Sequence, residues 1–155
     1  MLTRFAALIA AAWAGVLVCI GAIAAPSAFS TLPAADAGRV AGRMFEQEAY
    51  LGIGLALLLF FIERRRSADA ADAGEAGSDA RAMSPNILLL LGTLFCTVAG
   101  YFAVLPMMAA ARAGQGTLSF AALHAVSGGL FVLKGLLVLA LAWRLTRLRT
   151  AATPS

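Results

Sequence analysis

Four apolar runs, each long enough to cross a bilayer, constrain the fold of this chain more than any other feature. They cover about residues 5–25, 44–62, 86–108 and 121–143, and a transmembrane helix needs about 20 consecutive apolar residues. The 155 residues are 61% hydrophobic and only 13% charged, which is more apolar surface than a soluble domain of this size can bury. The sequence therefore predicts an all-α integral membrane protein, in which residues 1–155 form a single domain of four transmembrane helices.

The segment that joins the second and third runs, residues 63–84, is polar and rich in Ala, Gly and Asp. It shows no hydrophobic periodicity, which is typical of a solvated, disordered loop. At its end, Ser84 and Pro85 stand where the N-cap and the first residue of the third helix are expected. The other two connections are short, and no long-period repeat divides the chain.

The distribution of basic residues predicts how the helices are oriented. If the amino terminus is cytoplasmic, the cytoplasmic segments hold Arg4, Arg64, Arg65, Arg66, Arg81, Arg144, Arg147 and Arg149, and the opposite side holds Arg39, Arg43 and Arg112. Cytoplasmic loops carry an excess of Lys and Arg, so both termini and the loop of residues 63–84 are expected in the cytoplasm. All basic residues but one are Arg. That bias is typical of a GC-rich bacterial genome, and we expect a multi-pass protein of the bacterial cell (inner) membrane.

The first apolar run could be a retained helix or a cleaved signal peptide. A secretory signal has an apolar core of about 7–15 residues, whereas residues 5–25 are apolar without a break. Cleavage after Ala24 would leave three spans, and the charge bias would fit that arrangement as well. The length of the run favours a retained first helix.

Several short motifs resemble those of the transmembrane protein 205-like family, whose bacterial members are grouped as domain of unknown function 4149. They are A-P-x-x-F at residues 25–29, A-G-x-x-x-G-x-x-F at residues 37–45, and later single positions; the residues concerned are Pro26, Phe29, Gly38, Gly42, Phe45, Pro106, Arg112 and Phe120. The resemblance covers nearly the whole chain in the family's order, although a polar residue is often expected near the position of Phe131. It implies a four-helix membrane fold with no settled activity, and a first helix that is retained.

Polar residues lie along one face of two predicted helices, and such a face is expected to point into the bundle interior. In the fourth helix, His124, Ser127 and Lys134 follow a three- and four-residue spacing with Phe120, Phe131 and Val138. In the second, the corresponding face carries Arg39, Arg43, Glu46, Tyr50 and Gly54, and Glu48 is expected to point towards the lipid headgroups. By helical rise, His124, Glu46, Tyr50 and Tyr101 would form a cluster in the outer half. It is either a ligand or metal site or a network of interhelical hydrogen bonds.

Lys134 is the residue that costs most to place in a membrane. It lies close to the predicted midplane, where a charge costs about 2.5–3.5 kcal/mol. From the predicted boundaries no carboxylate lies at its level, whereas Trp13, Thr93, Cys96 and Thr97 do. Two interpretations remain open: a neutral or locally bonded amine, or a cation that attracts an anion or carries a proton in a water-filled interior.

Other chemistries have less support. Cys19 and Cys96 lie inside apolar runs and are interpreted as small buried residues. Met and Cys with one imidazole suit Cu(I), but the methionines follow no M-x-M or M-x-x-M spacing and His124 is the only histidine. The sequence has no phosphate-binding loop, nucleophile elbow or paired metal-ligand motif. We therefore expect no enzymatic activity, cofactor or bound metal.

Two classes of function fit these observations, with copper or redox handling as a minor alternative. The first is the binding or movement of a small solute or ion through a polar bundle interior. The second is a non-transporting membrane scaffold or accessory subunit. The expected partners are the lipid bilayer and a second copy of the chain, because four helices enclose little room. The net charge of +4 follows from arginines near the helix ends and requires no nucleic acid.

Overall fold

The computed structural model describes residues 2–72 and 84–151, which are helical apart from short connections. The α-helices are Leu2–Val18, Ala25–Thr31, Ala34–Asp72, Pro85–Thr97, Leu105–Arg112 and Phe120–Ala151, and π-helical segments at Cys19–Ala24 and Val98–Val104 connect two pairs of them without a break. Four continuous helices result: span 1 (Leu2–Thr31), span 2 (Ala34–Asp72), span 3 (Pro85–Arg112) and span 4 (Phe120–Ala151). All four contain a segment long and apolar enough to cross a membrane, which confirms the predicted all-α membrane fold.

The four spans form an antiparallel bundle with a square arrangement. Span 1 packs on spans 2 and 4, and span 3 packs on the same two neighbours. Within the described residues, spans 1 and 3 do not approach each other, nor do the backbones of spans 2 and 4, so these two pairs are the diagonals. We call the end with residues 32–33 and 113–119 the Pro33 end, and the opposite end the Asn86 end.

Spans 1 and 3 each contain a π-helical segment directly before a proline. The N–H of Ala25 bonds to the carbonyl of Ile20, and the N–H of Leu105 bonds to that of Gly100. Proline has no N–H to donate and its ring crowds the carbonyl four residues earlier. A widened π turn before Pro26 and before Pro106 relieves this conflict within a continuous helix. Both π segments lie in the half of the bundle nearer the Pro33 end.

Small side chains alternate with larger ones where span 1 contacts its neighbours. On span 1 the buried face includes Ala6, Ala10 and Ala14 with Trp13 and Leu17 among them. Lipid gives helices little hydrophobic reason to associate, so close approach through small residues becomes the main source of packing energy. A Cβ added at Gly92 of span 3 would lie 3.0 Å from Cδ1 of Leu137 on span 4. The bundle is therefore tightly packed along the contact between spans 3 and 4.

The first part of the segment 63–84, which is predicted to be a disordered loop, is helical. Span 2 continues as a helix to Asp72, so the prediction is wrong for residues 63–72. Glu63 and Arg66 form an ion pair there, and Ala is the residue with the highest helix propensity. Residues 73–83 lie outside the described part of the chain. The predicted N-cap is confirmed, because the Ser84 hydroxyl accepts a hydrogen bond of 3.3 Å from the N–H of Ile87.

Candidate functional site

A buried ion pair connects the two diagonally opposite helices, spans 2 and 4. The Lys134 ammonium donates to the Glu48 carboxylate, and the two residues are only 4% and 2% exposed. Each lies fourteen positions after the first residue of its span, Ala34 or Phe120, or about 21 Å along the helix axis. The two charges therefore meet at the same depth in the centre of the bundle.

Span 1 completes the surroundings of the carboxylate with a neutral donor. The indole Nε1 of Trp13 donates to Oε1 of Glu48 over 3.3 Å, and Trp13 is 1% exposed. One turn further along span 2, Gly52 leaves room for both groups: a Cβ there would lie 3.1 Å from Oε1 of Glu48 and 3.3 Å from Cζ2 of Trp13. Glycine at this position allows the indole and the carboxylate to meet.

Phe131 covers the ion pair on the side of the Pro33 end. The centre of its ring lies 5.4 Å from the Nζ of Lys134, within the distance at which an aromatic face attracts a cation. The same ring packs edge-on against Phe45 of span 2, with the ring centres 5.0 Å apart. We call Trp13, Glu48, Lys134 and Phe131 the charged core.

Span 3 contributes hydroxyl groups that already have partners. Thr93 and Thr97 are buried, and their hydroxyls donate to the carbonyls of Leu90 and Thr93 at 2.7 and 2.9 Å. Cys96 is buried on the same helix. Cys96 lies within electrostatic reach of Lys134, which agrees with the predicted shared level of these two residues. Lys134 bonds to Glu48, however, and no hydrogen bond within the described ranges joins it to the threonines.

Two predictions about Glu48 and Lys134 are therefore wrong. Glu48 does not face the headgroups, and Lys134 has a carboxylate at its level. The error lies in the boundary of span 2, which was placed at Met44, where the hydropathy rises. The helix begins ten residues earlier, at Ala34, and this corresponds to about 15 Å of depth. When depth is measured from Ala34, Glu48 lies at the same depth as Lys134.

The predicted orientation of the polar face of span 2 is also wrong, because this face does not point into the bundle. Arg39, Arg43, Tyr50 and Gly54 are exposed and Glu46 is only partly buried. The face that packs inside carries Glu48 and small residues, which follow one another after four, eight, three and four positions: Ala37, Ala41, Ala49, Gly52 and Ala56. Small residues mark the interface between membrane helices. This stripe was the sequence signal that could have identified Glu48 as an interior residue.

The predicted cluster of His124, Glu46, Tyr50 and Tyr101 is brought together only in part. The rings of Tyr50 and Tyr101 are in edge contact, with centres 5.8 Å apart. Glu46 accepts a hydrogen bond of 2.6 Å from Arg43, and its carboxylate also interacts with the Tyr101 hydroxyl. His124 is exposed and stacks on Phe120 with the ring centres 5.8 Å apart; in the described part of the chain, no hydrogen bond or ion pair joins it to Glu46. The polar stripe of span 4 is thus exposed at His124, partly buried at Ser127 and buried at Lys134.

The family-motif positions lie mainly at the Pro33 end. Gly38, Gly42 and Arg112 contribute to an open groove of about 430 Å³, whose lining is completed by Ala34, Ala35 and Arg39. A Cβ at Gly38 or Gly42 would meet nothing within 4 Å, so these glycines are not points of close helix contact. Arg112 lies 4.4 Å from the centre of the Phe120 ring. Phe29 is exposed, and Pro26 and Pro106 follow the two π segments.

A second polar cluster, which the sequence reasoning missed, joins three spans at the Asn86 end. Asn86 of span 3 donates to Oε2 of Glu63 on span 2 at 2.9 Å and accepts from Nε of Arg144 on span 4 at 3.0 Å. Glu63 also pairs with Arg66. Asn86 and Glu63 are buried. Asparagine at the second position of a predicted membrane helix was the available signal for this cluster.

Potential metal ligands are scattered in the described ranges. No group of three His, Cys, Asp or Glu side chains could hold a metal ion there. Cys19 is exposed and Cys96 is buried. The ionisable pair near the middle of the bundle is therefore Glu48 and Lys134, with the indole N–H of Trp13 as a neutral donor beside it.

Comparison with known proteins identifies a family and no activity. A protein-family model described as Domain of unknown function (DUF4149) matches residues 8–117, which confirms the resemblance seen in the short motifs. No curated protein and no solved structure matches the chain. The matched range includes Trp13 and Glu48 and ends before span 4.

Proposed function

We propose that this chain, which belongs to the DUF4149 family, binds or moves a small solute or ion through the interior of its bundle in a bacterial inner membrane. The observation that carries the proposal is the ion pair between Glu48 and Lys134. It lies midway along the bundle and is reached by side chains of span 1 as well as spans 2 and 4. The proposal assigns no catalytic role to these residues.

A buried ion pair is rarely the arrangement that stabilises a folded protein most. Removing two charges from water costs several kcal/mol per ion, and well-packed apolar residues of similar size often give equal or greater stability. In a membrane, ionisable residues inside the bundle commonly mark ion paths and proton relays. The presence of both charges at the centre therefore favours a role in which the charges themselves are used.

The irregular segments of spans 1 and 3 support a bundle that can change shape near these charges. A Cβ at Gly21 of the first π segment would lie 2.8 Å from Cε1 of Phe131, and one at Gly100 of the second would lie 3.8 Å from Cβ of Leu130. Both segments thus touch span 4 about one turn from Lys134. Because π turns and prolines are where helices bend, movement there would be transmitted to the charged core.

A structural role is the second candidate. Every buried side-chain nitrogen and oxygen in the described part of the chain has a hydrogen-bond partner. A satisfied polar network can fix the register and partners of packed helices without moving any solute. This observation favours a scaffold whose ion pair specifies one bundle arrangement.

Flux measurements on reconstituted protein distinguish the two candidates. Liposomes that contain a pH-sensitive dye would be given gradients of formate, chloride or potassium, and the change in internal pH recorded. We expect the native protein to accelerate the change for at least one gradient, and Lys134→Met and Glu48→Gln to abolish it. Glu46→Gln, at a partly buried carboxylate paired with Arg43, should retain it. Native protein with no flux for any of the three probes would contradict transport of these ions and favour the scaffold.

A cellular version of the test uses complementation. If deletion of the gene causes a phenotype that depends on a solute, Lys134→Met should insert normally and fail to restore growth. Full complementation by the Met variant would show that the charge is dispensable and would make the scaffold the better assignment.

A further inference from the structure

Two hydrogen-bond donors from different helices converge on one carboxylate inside the bundle. The Nε1–H of Trp13 comes from span 1 and the ammonium of Lys134 from span 4, and both point at Glu48 of span 2. All three residues are at least nine-tenths buried. Considered without Glu48, the helices present a cation and a neutral donor around a small space that Gly52 keeps open.

We infer that Trp13 and Lys134 form a binding site for a small monovalent anion, and that the Glu48 carboxylate is a tethered occupant of this site. The inference rests on the proposed function and adds to it the class of ligand. An ammonium and an indole N–H supply only donors, which is the chemistry that binds a halide or a small carboxylate.

The same surroundings are poorly suited to a cation. Hard cations need several oxygen ligands, and Glu48 is the only buried carboxylate near this level among the described residues. No hydrogen bond in the described ranges joins the hydroxyls of Thr93 and Thr97 to Glu48; they bond to backbone carbonyls of their own helix. The described ranges contain no group of three His, Cys, Asp or Glu side chains. Lys134 would also repel any cation that approached Glu48.

Charge balance determines how the Glu48 carboxylate can leave the site formed by Trp13 and Lys134. A proton that binds to a carboxylate oxygen of Glu48 gives a neutral carboxylic acid, and Lys134 keeps its charge. One monovalent anion then restores neutrality at Lys134, so the interior gains one proton and one anion together. The titratable groups near the Glu48 carboxylate are Lys134 on span 4 and Cys96 on span 3, and Cys96 lies within electrostatic reach of Lys134. Span 1 contributes the neutral Trp13.

Chemical rescue tests the site directly. Glu48→Ala removes the tethered carboxylate, and formate supplied in solution can take its place between the two donors. The test uses purified full-length protein with Trp143→Phe, which leaves Trp13 as the sole tryptophan. Thermal unfolding and Trp13 fluorescence are measured over a series of sodium formate concentrations, with sodium gluconate as the bulky anion at matched ionic strength.

We expect formate, and not gluconate, to restore most of the melting temperature lost in Glu48→Ala and to shift the Trp13 emission. The effect should saturate, and it should be absent from Glu48→Ala/Lys134→Met, where the cation is missing. Glu46→Ala is the matched control, because that carboxylate is partly buried and paired with Arg43, and formate should leave its stability unchanged. A formate response equal in Glu48→Ala and Glu46→Ala would overturn the inference.

A second variant keeps the inference testable if Glu48→Ala does not fold. Glu48→Gln keeps nearly the same side-chain volume, and quenching of Trp13 by iodide then reports whether an anion reaches the indole. Quenching that saturates and that Lys134→Met abolishes supports the site. Quenching unchanged by Lys134→Met contradicts it. Anion binding without any flux in the native protein would support the anion site and contradict transport. Flux without anion binding would support transport and contradict the anion site.

Discussion

The indole Nε1 of Trp13 lies 3.3 Å from Oε1 of Glu48, so a carboxylate that is paired with Lys134 also receives a neutral hydrogen bond from span 1. The bond is long for an N–H···O contact, and its contribution should be at the lower end of the usual range. Its partner is buried, however, and a buried acceptor that loses a donor keeps the cost of its desolvation. This one hydrogen bond therefore connects span 1 to the ion pair between spans 2 and 4.

Trp13→Phe should destabilise the protein by about 1 kcal/mol, because it removes the donor and keeps most of the aromatic volume. The measurement is denaturant unfolding of the detergent-solubilised protein, followed by helical circular dichroism. Trp143→Phe is the matched control, since Trp143 is exposed and its ring contacts Arg147. Equal losses in the two variants would show that the Trp13 hydrogen bond contributes nothing specific.

The ion pair should give a strongly non-additive mutant cycle. Glu48→Gln and Lys134→Met each leave one charge buried without its partner, at a cost on the order of 2.5–3.5 kcal/mol near the midplane. The double variant buries no charge and should cost clearly less than the sum of the single variants, as expected for groups in contact. Unfolding free energies in detergent measure the coupling. The same cycle on Arg43 and Glu46, an exposed and a partly buried residue, should give a much smaller coupling.

Gly52→Ala should disrupt the charged core from a neighbouring position. The added Cβ would lie 3.1 Å from Oε1 of Glu48 and 3.3 Å from Cζ2 of Trp13, so one of the two groups must move and their hydrogen bond weakens. Gly54→Ala is the control, because a Cβ there meets nothing within 4 Å and alanine favours helix by about 1 kcal/mol over glycine. We expect a lower melting temperature for Gly52→Ala and an unchanged or higher one for Gly54→Ala. The opposite order would mean that the space at Gly52 is not needed.

The sequence predicted the helices well and the faces of span 2 poorly. Hydropathy located all four membrane helices, and Ser84 was correctly assigned as a cap, because both depend on local patterns. The partner of Lys134 was missed because Arg39 and Arg43 lower the hydropathy of the first turns of span 2, although they lie on its exposed face. The predicted start of span 2 is therefore Met44, ten residues after the observed start at Ala34. The predicted depth of every residue on that helix is wrong by the same distance.

The network at Asn86 was missed for a different reason. It depends on Glu63, Asn86 and Arg144, which are distant in sequence and meet only when three helices are assembled. Pairing between helices is set by rotation and depth, and neither is encoded in the composition of one helix. The small residues that recur about every one or two helical turns, from Ala37 to Ala56, are the local signal that could have indicated which face of span 2 is buried.

Asn86→Leu tests whether this network stabilises the Asn86 end. The change removes a donor to Glu63 and an acceptor for Arg144, and Glu63 is left buried with Arg66 as its partner. We expect a loss of about 1–3 kcal/mol, the usual cost of a buried polar group that loses its bond. Arg147→Ala, at an exposed residue one turn beyond Arg144, should change stability much less. Unfolding in detergent measures both, and a neutral Asn86→Leu would show that the cluster is replaceable by apolar packing.

The orientation of the bundle, which the basic residues predict, can be tested with single cysteines. Cys19 and Cys96 are first replaced by alanine, and Ser78→Cys or Gln115→Cys is introduced into that background. Ser78 lies outside the described residues, in the segment that joins spans 2 and 3, whereas Gln115 lies in the connection at the Pro33 end. Because the excess of arginine is expected on the cytoplasmic side, a membrane-impermeant thiol reagent should label Gln115→Cys in intact cells and leave Ser78→Cys unlabelled until the cells are lysed. Labelling of Ser78→Cys alone in intact cells would reverse the orientation and place the groove with Arg39 and Arg112 in the cytoplasm.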